Sequence, residues 1–81
     1  MNEIGKVTHY YGKLGVAIIK LSGELRVGDK IKIEGNKIEL DQTVDSMEVD
    51  RKKMDEARAG DEVGIKVDQK ISEGAIVYKL D

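Results

Sequence analysis

Cysteine, proline, tryptophan and phenylalanine are all absent from the 81 residues, and tyrosine occurs only three times. Without thiols the chain has no disulfide framework, no thiolate zinc site and no cysteine nucleophile. Without proline it is neither collagen-like nor a Pro-rich linker. Long apolar runs are missing as well. The longest, Val16-Ala17-Ile18-Ile19, falls far short of the roughly 20 residues a membrane helix needs. The first residues, Met1 to Lys6, hold no basic stretch followed by an apolar one, so no signal peptide is expected. Charge of one sign is not in excess either: 14 Lys and Arg stand against 16 Asp and Glu, for a formal net charge of -2. These absences leave the expectation of a soluble, cytoplasmic, non-catalytic domain spanning 1–81, with no cofactor and no metal.

What is present is a strand pattern. Lys30-Ile31-Lys32-Ile33-Glu34 alternates isoleucines with charges, and Glu62-Val63-Gly64-Ile65-Lys66-Val67 repeats the period. Ile38 to Val44 continues it, although Gln42 interrupts the apolar series. Met47 and Val49 then fall on the opposite parity from Leu40 and Val44, for which a β-bulge near Ser46 would compensate. Further strands are expected over Glu3 to Tyr10, Val16 to Leu21 and Ala75 to Leu80. Six short strands with turns between them predict an all-β fold, a small closed antiparallel barrel that leaves no free edge. Abundant Lys and Glu with little Asn or Gln fits a heat-adapted protein.

The turns share a phrase. Arg26-Val27-Gly28-Asp29 and Arg58-Ala59-Gly60-Asp61 are near copies, and Ser72-Glu73-Gly74-Ala75 is a looser one. In each, Gly admits a positive φ, and in the first two the Asp can accept a hydrogen bond from turn backbone. No helix or glycine run follows that would make a phosphate cradle. Only Arg51 to Arg58 has helical composition. It is too short to form a helix alone and is expected as an irregular crossing or a single turn over Met54 and Ala57.

Catalytic constellations do not emerge. His9 is the sole candidate base, and no Ser-His-acid spacing accompanies it. The segment His9-Tyr10-Tyr11-Gly12-Lys13 carries two of the three aromatics beside a cation, a platform on which an RNA base could stack. The alternative reading has one Tyr plugging the barrel end, the other resting on the surface, and His9 at the strand end making a structural hydrogen bond. Arg51-Lys52-Lys53 could contact phosphates, but the near-neutral balance argues against strong sequence-independent RNA affinity.

Gly23-Glu24-Leu25-Arg26-Val27-Gly28-Asp29-Lys30-Ile31-Lys32-Ile33-Glu34-Gly35 resembles the G-x-(L/I)-x-V-G-(D/E)-x-(I/V)-x-I-x-G stretch of domain II of translational GTPases such as elongation factor Tu. Met47 to Gly64 is similar to that domain's next signature, E-M-x-R-K…A-G-x-x-V-G. Ile4 to Tyr11 and Gly15-Val16-Ala17 look closer to small stand-alone elongation-factor-like proteins and to the C-terminal domain of collagenase-like peptidase-family proteins, some of them associated with RNA hydroxylation. The resemblance implies a translation-factor domain II barrel and a contact with RNA, either a tRNA end or a ribosomal element, within a larger complex. It also implies that Glu48 and Arg51 lie near a 3′-terminal adenosine, where a carboxylate accepts from ribose or adenine and a guanidinium holds phosphate. The same pair could instead be an exposed ion pair. A P-loop is absent, so GTP binding is not implied. The alternative function is a module docking on a separately encoded peptidase-like or RNA-modifying enzyme. The candidate RNA-contacting residues are therefore His9, Tyr10, Tyr11, Lys13, Glu48, Arg51 and Lys52.

Overall fold

In the computed structural model, which describes residues 2–80, every helix or strand element is a strand. The expected domain limits, 1 and 81, lie outside the described residues. Ten strands follow one another: β1 (Asn2–Tyr11), β2 (Val16–Leu21), β3 (Leu25–Arg26), β4 (Lys30–Gly35), β5 (Ile38–Thr43), β6 (Met47–Val49), β7 (Lys52–Met54), β8 (Glu56–Ala57), β9 (Glu62–Lys66) and β10 (Ile76–Lys79). Eight of them form one antiparallel sheet in the order β5-β4-β10-β1-β2-β9-β6-β7, and β3 pairs with β8. Among the described residues no helix is long and apolar enough to cross a membrane.

The alternating period places the core as read. Ile31 and Ile33 of β4, Val63 and Ile65 of β9, and Ile19 of β2 are all buried. The shared turn phrase also behaves alike at its two best copies. Gly28 and Gly60 adopt φ of 98° and 97°, which only glycine takes without strain. Asp29 Oδ2 accepts from the Arg26 amide at 2.9 Å, and Asp61 Oδ2 from the Arg58 amide at 3.0 Å.

The closed six-stranded barrel is corrected on both counts. The eight-stranded sheet is open, with β5 and β7 as its edges, and the strands among the described residues number ten. Part of the difference arises at Val44 to Ser46, where no bulge forms. The chain leaves β4 there and joins β9 instead, so one expected strand becomes β5 and β6. The Val44 amide donates to Asp29 O at 2.9 Å and its carbonyl accepts from Gly28 N at 2.8 Å, turning the corner.

Strands β7 and β8 come from the segment of helical composition. Met47, Glu48 and Val49 pair with Met54, Lys53 and Lys52, a tight hairpin in place of the expected turn or crossing. Cross-strand pairing here outweighs the weak helical preference of Lys, Glu and Ala. Ala57 is buried as expected, but Met54 is 43% exposed.

A side chain ties the edge strand β5 to the end of β9. Half-buried Gln42 of β5 donates through Nε2 to Lys66 O at 2.7 Å and accepts from the Asp68 amide through Oε1 at 3.2 Å. Losing both bonds in Gln42→Ala should lower unfolding free energy by about 1–2 kcal/mol. Urea denaturation measures this, and an unchanged midpoint would contradict the bridge.

Candidate ligand-binding groove

The outer face of β1, β2, β9 and β6 carries a groove of about 620 Å³. Its geometry follows from the strand register. His9 lies opposite Ile18, Ile18 opposite Gly64, and Gly64 opposite Glu48, which makes one row across four strands. A second row runs from Tyr11 to Val16 to Lys66. Val16 and Ile18 are the apolar floor, flanked by the acids Glu48, Asp50 and Glu62 and the cations Arg51 and Lys66.

One end of the groove is the β1–β2 turn. The amides of Leu14 and Gly15 both donate to Tyr11 O, at 3.2 and 2.9 Å. This turn holds the Tyr11 and Leu14 side chains outward, 46% and 67% exposed. The His9 ring lies 4.7 Å from that of Tyr11, tilted by 51°, and His9 Nδ1 is 3.3 Å from Glu73 Oε2. The imidazole therefore buttresses Tyr11 from behind.

The opposite end is the β6–β7 hairpin. Asp50 and Arg51 both have positive φ, 52° and 66°, the signature of a type I′ turn. Asn-Gly is the usual choice at these positions, and Arg carries the left-handed conformation at a cost of about 1–2 kcal/mol. The turn nevertheless sets the Arg51 side chain on the groove wall beside Glu48. Ion pairs among the described residues join His9 to Glu73, Arg26 to Glu24 and Glu56, Lys32 to Glu39, and Lys79 to Asp29. None of them uses Glu48 or Arg51. Both residues line the groove.

Of the seven residues singled out in the sequence, Tyr11, Glu48 and Arg51 line the groove and His9 supports it. Tyr10 lies on the other face of β1 and packs against the core. Lys13, in the β1–β2 turn, and Lys52, on β7, are exposed and outside the groove wall. Leu14, Val16, Ile18, Gly64 and Lys66 were not foreseen. For Val16 and Ile18 the signal was the doublet Ile18-Ile19, because two adjacent apolar residues in a strand must place one on the outer face. Raised pKa values occur elsewhere, at Arg26 through its hydrogen bond and charge pairing with Glu24 and at Lys32 through its hydrogen bond with Glu39. No group of three or more His, Cys, Asp or Glu suited to a metal occurs among the described residues.

Comparison with known proteins bears on what such a groove belongs to. The sequence profile of elongation factor Tu domain 2 matches residues 16–76, which include both turn phrases and most of the groove. The chain belongs to the elongation factor Tu domain 2 family. Within that frame, a Methanocaldococcus jannaschii protein described as an uncharacterized protease is 38% identical over 79 residues. The match takes in 96% of this chain but only 19% of that protein's length. Two crystal structures of the C-terminal domain of a candidate U32 peptidase from Geobacillus thermoleovorans superpose with TM-scores of 0.93 and 0.92 at 22% identity. They cover 98% and 99% of this chain, and 100% and 93% of their own. At that identity the likeness is one of fold.

Proposed function

We propose that this domain is a non-catalytic binding module, working in the cytoplasm beside a peptidase-like or RNA-modifying enzyme, and that its groove holds an unpaired RNA end. The observation that carries this reading is the groove's composition: the exposed Tyr11 ring at one end, an apolar floor of Val16 and Ile18, and Glu48 with Arg51 at the other. A base stacks on an aromatic face regardless of sequence, contributing about 1–3 kcal/mol. Glu48 would accept from ribose hydroxyls or an exocyclic amine, and Arg51 would hold the adjoining phosphate. Lys13 and Lys52 are exposed but lie outside the groove wall, and they are given no part in this contact. Tyr10 packs against the core and is not offered for stacking.

The charge balance limits the reading usefully. With Arg51 and Lys66 as the groove's cations, about two phosphates are neutralised. The logarithm of affinity should then fall against log salt with a slope of about -1 to -2. Anisotropy titration of a labelled RNA hairpin with an unpaired 3′ CCA end, at low salt, tests this. Saturable binding with that shallow slope is expected, and a blunt duplex should bind more weakly.

A second reading is favoured by one observation. The similar stretch in the archaeal relative makes up only 19% of a much longer protein, which suits a module that docks on a peptidase-like partner. Failure to bind RNA, together with co-purification of such a partner free of RNA, would favour docking over RNA capture.

A further inference from the structure

The two edges of the large sheet are protected unequally. An exposed edge presents unpaired amides and carbonyls, and folds blunt it with lysines, proline, a bulge or a very short strand. Edge strand β7 follows this rule, with three residues that include Lys52 and Lys53. Edge strand β5 does not. It runs six residues, Ile38–Thr43, has neither lysine nor proline, and pairs with β4 in unbroken register.

Which groups of β5 stay free follows from the ladder. The Leu80 amide donates to Lys30 O at 2.8 Å, so Lys30 of β4 turns its polar groups to the β10 side. Along an antiparallel strand the bonding side alternates from residue to residue. Ile31, Ile33 and Gly35 therefore bond toward β5, where their partners are Gln42, Leu40 and Ile38. The intervening Glu39, Asp41 and Thr43 direct their amides and carbonyls away from β4. Among the described residues none of these groups finds a hydrogen-bond partner. Gln42 reaches Lys66 and Asp68 by its side chain and not by its backbone.

Side chains set what can lie along this edge. Glu39 and Asp41 are exposed, and Ile38 and Leu40 are only partly covered where they pack against the core. Both charged residues of the strand are thus acidic. Lys32 of β4 lies opposite Asp41 but bonds Glu39, Nζ to Oε1 at 2.8 Å. Asp41 has no ion pair among the described residues.

We propose that β5 is a docking edge, completed by an extended segment of a partner protein that carries Lys or Arg at alternate positions with apolar residues between them. Main-chain bonds to Glu39 and Asp41 supply the attachment, and alternate side chains supply the choice of partner. The cations meet the two carboxylates, and the intervening side chains cover Ile38 and Leu40. A second copy of this chain is a poor occupant. Pairing β5 with β5 sets Glu39 and Asp41 beside acids of the same strand, and like charges across a ladder repel. No residue of β4 or β5 lines the groove, so the proposal goes beyond the RNA-end reading and stands whether or not the groove binds RNA.

Anisotropy titration with a labelled, end-capped peptide of alternating Lys and Val tests this, beside thermal melts of each variant. Saturable binding that weakens with salt is expected. A backbone N-methylated copy keeps every side chain but cannot donate to the edge, and it should not bind. Asp41→Pro removes an outward amide and spares the β4 ladder. It should melt within a few degrees of wild type and bind the peptide about tenfold more weakly. Asp41→Lys should abolish binding by meeting the incoming cations with a like charge. Equal binding of the N-methylated peptide overturns the docking edge, as does undiminished affinity in folded Asp41→Lys. Absence of saturable binding to wild type overturns it as well. Should Asp41→Pro fail to fold, the N-methylated peptide decides the matter. A dimer of the domain alone in sedimentation velocity, lost in Asp41→Lys, would replace the basic partner with a second copy and overturn the proposal.

Discussion

Ile33→Ala should remove a large part of the domain's stability. Ile33 is completely buried on β4, opposite Leu40 of β5 and Val77 of β10. Truncating a buried Ile to Ala removes about 2–5 kcal/mol, through lost burial and the cavity left behind. For 81 residues, total stability is expected at about 4–12 kcal/mol. The sheet has little capacity to close over such a hole, because neighbouring strands are held by ladder hydrogen bonds on both sides of β4. Circular dichroism melts should show a drop of ten degrees or more, whereas Ile33→Val should shift the midpoint by only a few degrees. Near-wild-type melting of the alanine variant would mean that β4 is not packed as described.

The second large effect concerns the groove, and there stability and binding should part company. Tyr11→Ala removes the exposed ring, and affinity for a CCA-ended RNA should fall about 5- to 150-fold, the equivalent of one base stack. Arg51→Gly is the more telling variant. Arg51 has a φ of 66°, and glycine there relieves the left-handed strain at no steric cost. Its melting temperature should rise while RNA binding weakens and the salt slope shrinks by about 0.7, one phosphate contact on a single strand. Tighter or unchanged RNA binding by Arg51→Gly would remove the guanidinium from the site.

Much of the fold was legible in residues that act locally. Arg26 to Asp29 and Arg58 to Asp61 encode their turns through a glycine and a capping Asp, and both behave as the phrase suggests. Ile31, Ile33, Val63 and Ile65 announce a buried face by simple alternation. What stayed hidden depends on partners distant in the chain. Gln42 looked like a flaw in a strand, because its role is to bond Lys66 and Asp68, 24 and 26 residues on in the chain. The Asp50–Arg51 turn carried no glycine or asparagine to mark a type I′ hairpin, so its helical composition misled.

The candidate site divides in the same way. Tyr11, Glu48 and Arg51 carry recognisable chemistry and were visible one by one. Val16 and Ile18 look like core in any apolar pattern until the register shows which of them faces outward.

The most direct measurement is a two-dimensional ¹H–¹⁵N NMR titration of the uniformly labelled protein with a short single-stranded RNA ending in CCA. Progressive shifts should concentrate on Tyr11, Ile18, Glu48, Arg51, Gly64 and Lys66, with β4 and β10 undisturbed. Shifts centred on those two strands, or an unchanged spectrum at saturating RNA, would contradict a binding site in the groove.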